Sequence, residues 1–256
     1  MIDTFSKFYY GHNITRDNRF INIDEGAGEI AVELATGSYT LSEFASQVQT
    51  ALNSFGTLSY SVSVDRSSRV ITITADASFD LLVSTGTQVG QSAHSLMGFT
   101  GADRTGLLTY AGNAASGFEY KPQFKLQSYV PSENYEQGVS TVINKTADGA
   151  VEVVTFGREN FFEMEIKFIT NLRMDGYVIK NNPNGLANAI SFMQDITNKR
   201  RFEFMPDISD ADSYYKVILE SSAGFSDGTG FKLKELYDQS LKDIYETGIL
   251  TMRVVN

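Results

Sequence analysis

The sequence predicts an α+β protein: an N-terminal helix-on-sheet module, then a mainly β domain, a sandwich or rolled barrel with one flanking helix. Three observations carry this expectation. Residues 40–56 place apolar side chains at helical spacing between a capping signal and a glycine. Residues 58–75 alternate, turn and alternate back. Beyond residue 120, seven stretches read as strands and are interrupted once by helical spacing, at 182–198.

Taken in order, "FINIDEGAGEIAVELATGSYT" (20–40) alternates at Ile30, Val32 and Leu34 and turns at Gly37-Ser38. In "TLSEFASQVQTALNSFG" (40–56), Thr40 and Glu43 have capping-box spacing. Leu41, Phe44, Val48, Leu52 and Phe55 line one face, and Gly56 stands where a left-handed cap belongs. "LSYSVSVDRSSRVITITA" (58–75) is a hairpin, with Tyr60, Val62 and Val64 alternating against serines, a turn at Asp65–Ser68 and a return over Val70–Thr74. "FDLLVSTG" then reads as a short strand or loop, and "SAHSLMGF" as a short helical turn. Residues 101–120 are rich in Gly, Ala and Ser and weakly periodic, so they read as a linker or an arm. The expected division is therefore a module over 1–100, a linker over 101–120 and a β domain over 121–256.

The strands expected in that last part are 123–130, 138–145, 150–157, 161–170, 200–206, 214–221 and 248–256. The stretch 144–170 folds back at Asp148-Gly149 into a long two-faced ribbon. In its second half Phe162, Met164, Ile166 and Phe168 share a core face, while Phe161, Glu163, Glu165 and Lys167 share the opposite, charged one. Such a ribbon serves either as an ordinary sheet strand or as a means of pairing subunits. The expected helix, 182–198, aligns Leu186, Ala189, Ile190, Met193 and Ile196.

Composition narrows the function classes. The chain of 256 residues carries 18 Phe and 13 Tyr, enough for a sizeable core, and no cysteine, which excludes disulfides, thiolate nucleophiles and Cys-based metal sites. Net charge is −10 and evenly spread: 6 basic and 11 acidic residues up to Gly117, 15 and 20 beyond it. Tight binding of a phosphate backbone needs a clustered basic surface, so it is not expected; passage of DNA along an acidic surface is compatible with this charge. No apolar run approaches the roughly 18 residues of a membrane span, and no export signal is visible at the start, so the chain reads as soluble, with no membrane partner.

Each candidate for chemistry has a simpler structural explanation. His12 and His94 lack any partner spacing for zinc, and His94 beside Leu96 and Met97 reads as a packing residue. Glu163 and Glu165 stand two residues apart on one strand face, whereas acid–base pairs come from different strands lining a cleft. Asp207, Asp210 and Asp212 lie in one loop without the closing Glu and central Gly of a calcium loop. "GFSDGTGFKLKE" (224–235) lacks the phosphate-cradling arrangement, and "GTQVGQSAHS" forms no nucleophile elbow. "NKRRF" (198–202) reads as solvated charge closing a helix. No catalytic, cofactor-binding or metal-ligating residue is assigned, and no enzymatic activity or cofactor is expected.

The pattern "VEVVTFGRENFFEMEIKFI" (151–169), then "GLANAISFMQDITNKRRFEFMPD" (185–207), then "YYKVILES" (214–221) resembles the tail proteins of long-tailed bacteriophages, in the tail-tube and distal-tail families. "GSYTLSEFASQVQTALN", "YSVSVDRSSRVITIT" and "LMGFTGADRTG" resemble a module of phage virion proteins. The resemblance covers most of the chain and implies a tail-tube-like β domain, a hexameric ring of copies around the DNA channel, and a place in the virion after synthesis in the host cytoplasm. The implied partners are the protein itself, neighbouring tail-tube and baseplate hub proteins, and DNA that passes without specific binding. The added N-terminal module fits a distal-tail or baseplate adaptor; a tail-tube or head–tail connector subunit is the alternative. A carbohydrate-binding, adhesin-like module, suggested by the plentiful Tyr and Phe, is a further one. The hydrolase alternative rests only on scattered carboxylates.

Overall fold

A computed structural model describes residues 6–122, 129–145, 151–166, 169–170, 186–225, 230–235 and 244–255. The chain begins β1 (Lys7–Tyr10), β2 (His12–Ile14), β3 (Phe20–Asp24), β4 (Glu29–Glu33), β5 (Gly37–Tyr39), α1 (Leu41–Phe55), β6 (Tyr60–Asp65) and β7 (Val70–Leu81). It continues with β8 (Arg104–Ala111), β9 (Phe118–Tyr120), β10 (Tyr129–Lys145), β11 (Val151–Ile166), β12 (Ile169–Thr170) and α2 (Leu186–Ile196). It closes with β13 (Phe202–Met205), β14 (Tyr215–Ser222), β15 (Lys234–Glu235), β16 (Ile244–Glu246) and β17 (Ile249–Val254). The architecture is α+β, with the strand pairs described below antiparallel, and no sheet closes into a barrel among the described residues.

Two compact units divide the chain, and the division is discontinuous. One holds residues 7–120 and 200–214; the other holds 121–199 and 215–256 together with the first six residues. In the first unit, β4, β3, β7 and β6 form one sheet, with β8 on the opposite edge of β7. Helix α1 packs on β4, β5 and β6. Phe44, Val48 and Leu52 enter a core that includes Ile21, Ile23 and Ile73. Each such side chain, fully withdrawn from water, contributes about 1.5–3 kcal/mol. The expected capping box is present: Glu43 N–H donates to Thr40 Oγ1 at 3.4 Å, and Thr40 N–H to Glu43 Oε2 at 3.0 Å.

Two details of the expected helix differ. Phe55 is 49% exposed, because the buried stripe runs through Ala45 and Ala51 instead. Gly56 has φ −80° and ψ 168°, an extended rather than left-handed cap. Space is what requires glycine there: a Cβ would stand 2.5 Å from Glu25 Oε1 and 2.9 Å from Leu52 O. That close approach lets the Glu25 carboxylate accept from Thr57 N–H, Leu58 N–H and Tyr60 O–H and so tie down the turn into β6.

The hairpin falls where the alternation places it, with Asp65 Oδ1 accepting from the amides of Ser67 and Ser68 in its turn. The second strand runs on to Leu81, so Phe79–Leu81 of "FDLLVSTG" belongs to it. Residues 101–120 are not a linker: they form β8, paired with β7, and β9, paired with β1. The small residues that suggested an arm supply the turns between these strands. The boundary therefore lies near residue 120. A further correction concerns 200–206, expected in the β domain. Here β13 pairs with β1 inside the first unit, Lys7 opposite Met205, and all four residues of each strand are buried. The rings of Phe202, Phe204 and Tyr120 gather around Phe8, with centroids 5.4–6.2 Å apart.

In the second unit, β10, β11, β17 and β14 follow one another as an antiparallel sheet. Among the described residues this unit also holds a three-stranded sheet, β12-β16-β15. Strand β11 joins the expected 150–157 and 161–170 into one strand of 16 residues, and β10, with 17, is longer than expected. Helix α2 buries Ala189, Phe192, Met193 and Ile196, Phe192 taking the place expected of Ile190. The strand expected over 123–130 falls mostly outside the described residues, as do the Asp148-Gly149 turn, Lys167, Phe168 and the start of the expected helix.

Candidate functional site

The largest paired element is the ribbon formed by β10 and β11. Lys145 stands opposite Val151 and Tyr129 opposite Ile166, with register shifts between Ser132 and Glu136 and between Ser140 and Thr141. On its other edge β11 is paired with β17 only from Phe161 to Glu165. Among the described residues, the stretch 151–160 thus has β10 alone as neighbour. β10 ends its sheet, and among the described residues its outer edge carries no strand. At about 3.3 Å per residue, this two-stranded portion runs roughly 33 Å past the β17 pairing.

Two physical arguments make this ribbon the candidate site. A two-stranded ribbon is marginal in water by itself, since its faces lack a core to cover them. A strand edge left open offers a row of backbone donors and acceptors to any further strand. Residues 138–145 and 150–157, "GVSTVINK" and "AVEVVTFG", are rich in β-branched side chains and free of proline. The ribbon's paired root is better covered: Met164 and Ile166 are buried, as expected, and the Phe162 ring lies tilted against Tyr215, centroids 4.6 Å apart.

The residues considered for chemistry are accounted for by packing and turns. His12 is fully buried against the Phe44 ring, and its Nε2 meets Ser116 Oγ at 3.2 Å. Because Ser116 Oγ donates to Leu96 O, His12 must donate from Nε2. Burial, assisted by the Arg69 charge, lowers its pKa to about 3, so the ring stays neutral. His94 is also buried and accepts from Asn22 N–H through Nε2; burial lowers its pKa to about 4. Each histidine works as a polar packing residue.

Glu163 and Glu165 remain two residues apart on β11, opposite Thr251 and Ile249 of β17. Asp207 Oδ1 accepts from Ser209 N–H and Oγ, and Asp210 Oδ1 from the amides of Asp212 and Ser213, so these carboxylates form turns. Among the described residues, no group of three or more His, Asp or Glu is placed to hold a metal. In "NKRRF", Lys199 donates to Leu219 O and Glu220 O, and Arg201 pairs with Glu43 at 3.0 Å. These charges bind their own fold rather than forming a solvated helix end. Residues 86–95 carry a 3-10 turn at Val89–Gln91, and Glu29 Oε1 accepts from Thr87. In 224–235, Ser222 Oγ donates to Gly230 O; residues 226–229 lie outside the described set.

A network that the sequence reading did not identify lies in the first unit. Arg66 reaches the fully buried Glu203 at 2.6 Å, donates to Ser42 Oγ and Ala211 O, and lies 3.6 Å above the Tyr214 ring. Removing one partner of such a buried pair costs about 3–5 kcal/mol because the other charge is stranded. The network joins α1, the hairpin turn and the 200–214 segment. Residues 137 or more positions apart in sequence meet there, so no local signal announces it.

An open groove of about 270 Å³ lies between the end of β4 and α1, where Leu34, Ala51 and the exposed Phe55 meet Gln47 and Ser54. Comparison with protein-family models finds no match, and neither does comparison with curated proteins.

Proposed function

We propose that the chain is a structural virion protein that assembles through the β10–β11 ribbon into a homo-oligomeric ring, hexameric in the long tail of a bacteriophage. The single observation that carries this reading is the open outer edge of β10 on a ribbon extending well past its own sheet. A neighbouring copy supplies the missing strand partners and covers the ribbon's faces, and a head-to-tail contact repeated around a closed rotation makes a ring. The resemblance of 151–221 to tail-tube and distal-tail proteins supports the same assembly. The first unit, an addition to a bare tube subunit, favours a distal-tail or baseplate adaptor contacting tube and hub proteins. An acidic lumen lets DNA pass without adhering, in keeping with the −10 charge.

Light scattering on the purified chain tests this: six copies of 28.3 kDa, about 170 kDa, are expected. A mass that stays at one copy at high concentration overturns it. A second reading, carbohydrate binding, is favoured by the groove beside Phe55, an aromatic face flanked by amide and hydroxyl groups. Binding on a glycan array that Phe55→Ala abolishes would support it.

A further inference from the structure

One edge of β3 is completed by a side chain. Its other edge is taken by β4. On the first, β7 pairs with Ile23 and Asp24, and residues 82–94 then leave β7 and lie along the rest as a strap. Leu82 N–H donates to Asn22 O at 2.9 Å, and Ala93 N–H to Phe20 O at 2.8 Å. The Asn22 N–H, between these bonds, donates to an imidazole in place of a carbonyl, His94 Nε2 at 3.3 Å. His94 is 1% and Asn22 0% exposed. Gly86 of the strap lies so close to the Asn22 side chain that a Cβ there would overlap its amide.

Three of the side chains that hold this strap do so as acceptors that a proton removes. His94 is one. Asp103, just before β8, accepts from the N–H and hydroxyl groups of Ser84 and Thr85. Glu29, on β4, accepts from the N–H and hydroxyl of Thr87. The ring responds at the highest pH. Accepting through Nε2 leaves its one proton on Nδ1. A second proton, on Nε2, would face the Asn22 N–H, donor against donor, in a site closed to water. Asp103 is the charge that bears on the ring; Asn22 and its β4 neighbour Ala31 carry none. Burial disfavours the charged ring more than the Val83 backbone and Asp103 favour it.

We propose that residues 82–94 are an acid-released strap: protonation of His94 lifts them from β3 while the remainder of the first unit keeps its fold. The sign follows from linkage. In the lifted strap the ring is solvated and titrates near the ordinary value of about 6.5. In the closed strap it titrates at about 4. The closed form is therefore fully favoured above pH 6.5 and loses ground as the pH falls toward 4. Helix α1 and the β6–β7 hairpin are joined by backbone pairing and apolar packing, which this proton leaves intact. Release bares the N–H of Asn22 and the carbonyls of Phe20 and Asn22, so acid exposes a strand edge that neutral pH keeps filled. The strap lies within the first unit and does not depend on the ribbon or the ring.

Amide hydrogen exchange on the full chain tests this. Leu82, Ala93 and Asn22 report the strap, and amides paired between β6 and β7 report the unit. With the intrinsic pH dependence of exchange divided out, the opening constant of the strap should rise about twentyfold from pH 7 to 5. At pH 5 it should exceed that of the hairpin by about tenfold or more. His94→Gln, whose amide oxygen accepts from Asn22 without titrating, should leave the strap's opening level over that range. In the unaltered protein, equal opening of strap and hairpin at pH 5, or a strap that stays level from pH 7 to 5, overturns the proposal with no variant needed. So does a twentyfold rise that persists in the His94→Gln protein.

Discussion

His12 shows how a residue that looks chemical in the sequence becomes structural in the fold. Its ring sits between Phe44 and Ser116, and a Cβ on Gly117, whose φ is +60°, would overlap it. With folded values near 3 for His12 and 4 for His94, the unfolded chain binds protons below pH 6.5 while the folded chain does not. Stability is therefore complete above pH 6.5 and falls as the pH drops toward those values, by about 1.4 kcal/mol per unit for each ring. Denaturant titrations should register a loss of about 2 kcal/mol per histidine by pH 5, and His12→Gln should flatten the slope. Carboxylates act lower down. Burial opposes ionisation of Glu25 and Asp103, but their hydrogen bonds outweigh it and hold both below the usual range, so their contribution disappears only as the pH falls through their lowered values. A stability profile that is level from pH 7 to 5 would contradict the placement of both rings.

Among the elements, helix α1 was the most legible, because capping residues and apolar spacing act over a few positions. Thr40→Ala should cost about 1 kcal/mol in thermal or chemical unfolding; no loss would mean that the cap is solvated. The hairpin of β6 and β7 was equally legible, since Asp65 and the alternating valines are local signals. Strand β1 was not: Lys7–Tyr10 is buried on both faces and shows no alternation, so nothing in "KFYY" announces a strand. Strand β8 was hidden by its glycines and threonines, which read as a linker until β7 supplies a partner. The place of the 200–214 segment in the first unit is hidden for a related reason. Its attachment depends on Glu203 finding Arg66, and ion pairs of that span leave no periodic trace. The ribbon was visible as a fold-back; its length beyond β17 was not, because pairing on the second edge is a tertiary property.

At the scale of the molecule, the even acidity and the open strand edges work together. In the proposed assembly, a net charge of −10 would keep copies apart except where strand-pairing surfaces meet. It also sets the relation to nucleic acid: gel-shift titration with duplex DNA should show no retention even at low salt, whereas retention that weakens steeply with salt would reveal a basic surface inconsistent with passive passage. The central claim, that β10 exists to be completed by another copy, is tested most directly by hydrogen exchange of residues 136–145 in the assembled protein. If a neighbour adds a strand, the amides directed away from β11 should be protected in the assembly and exchange rapidly when it is diluted to single copies. Amides on that side that exchange at the same rapid rate in both states would contradict it.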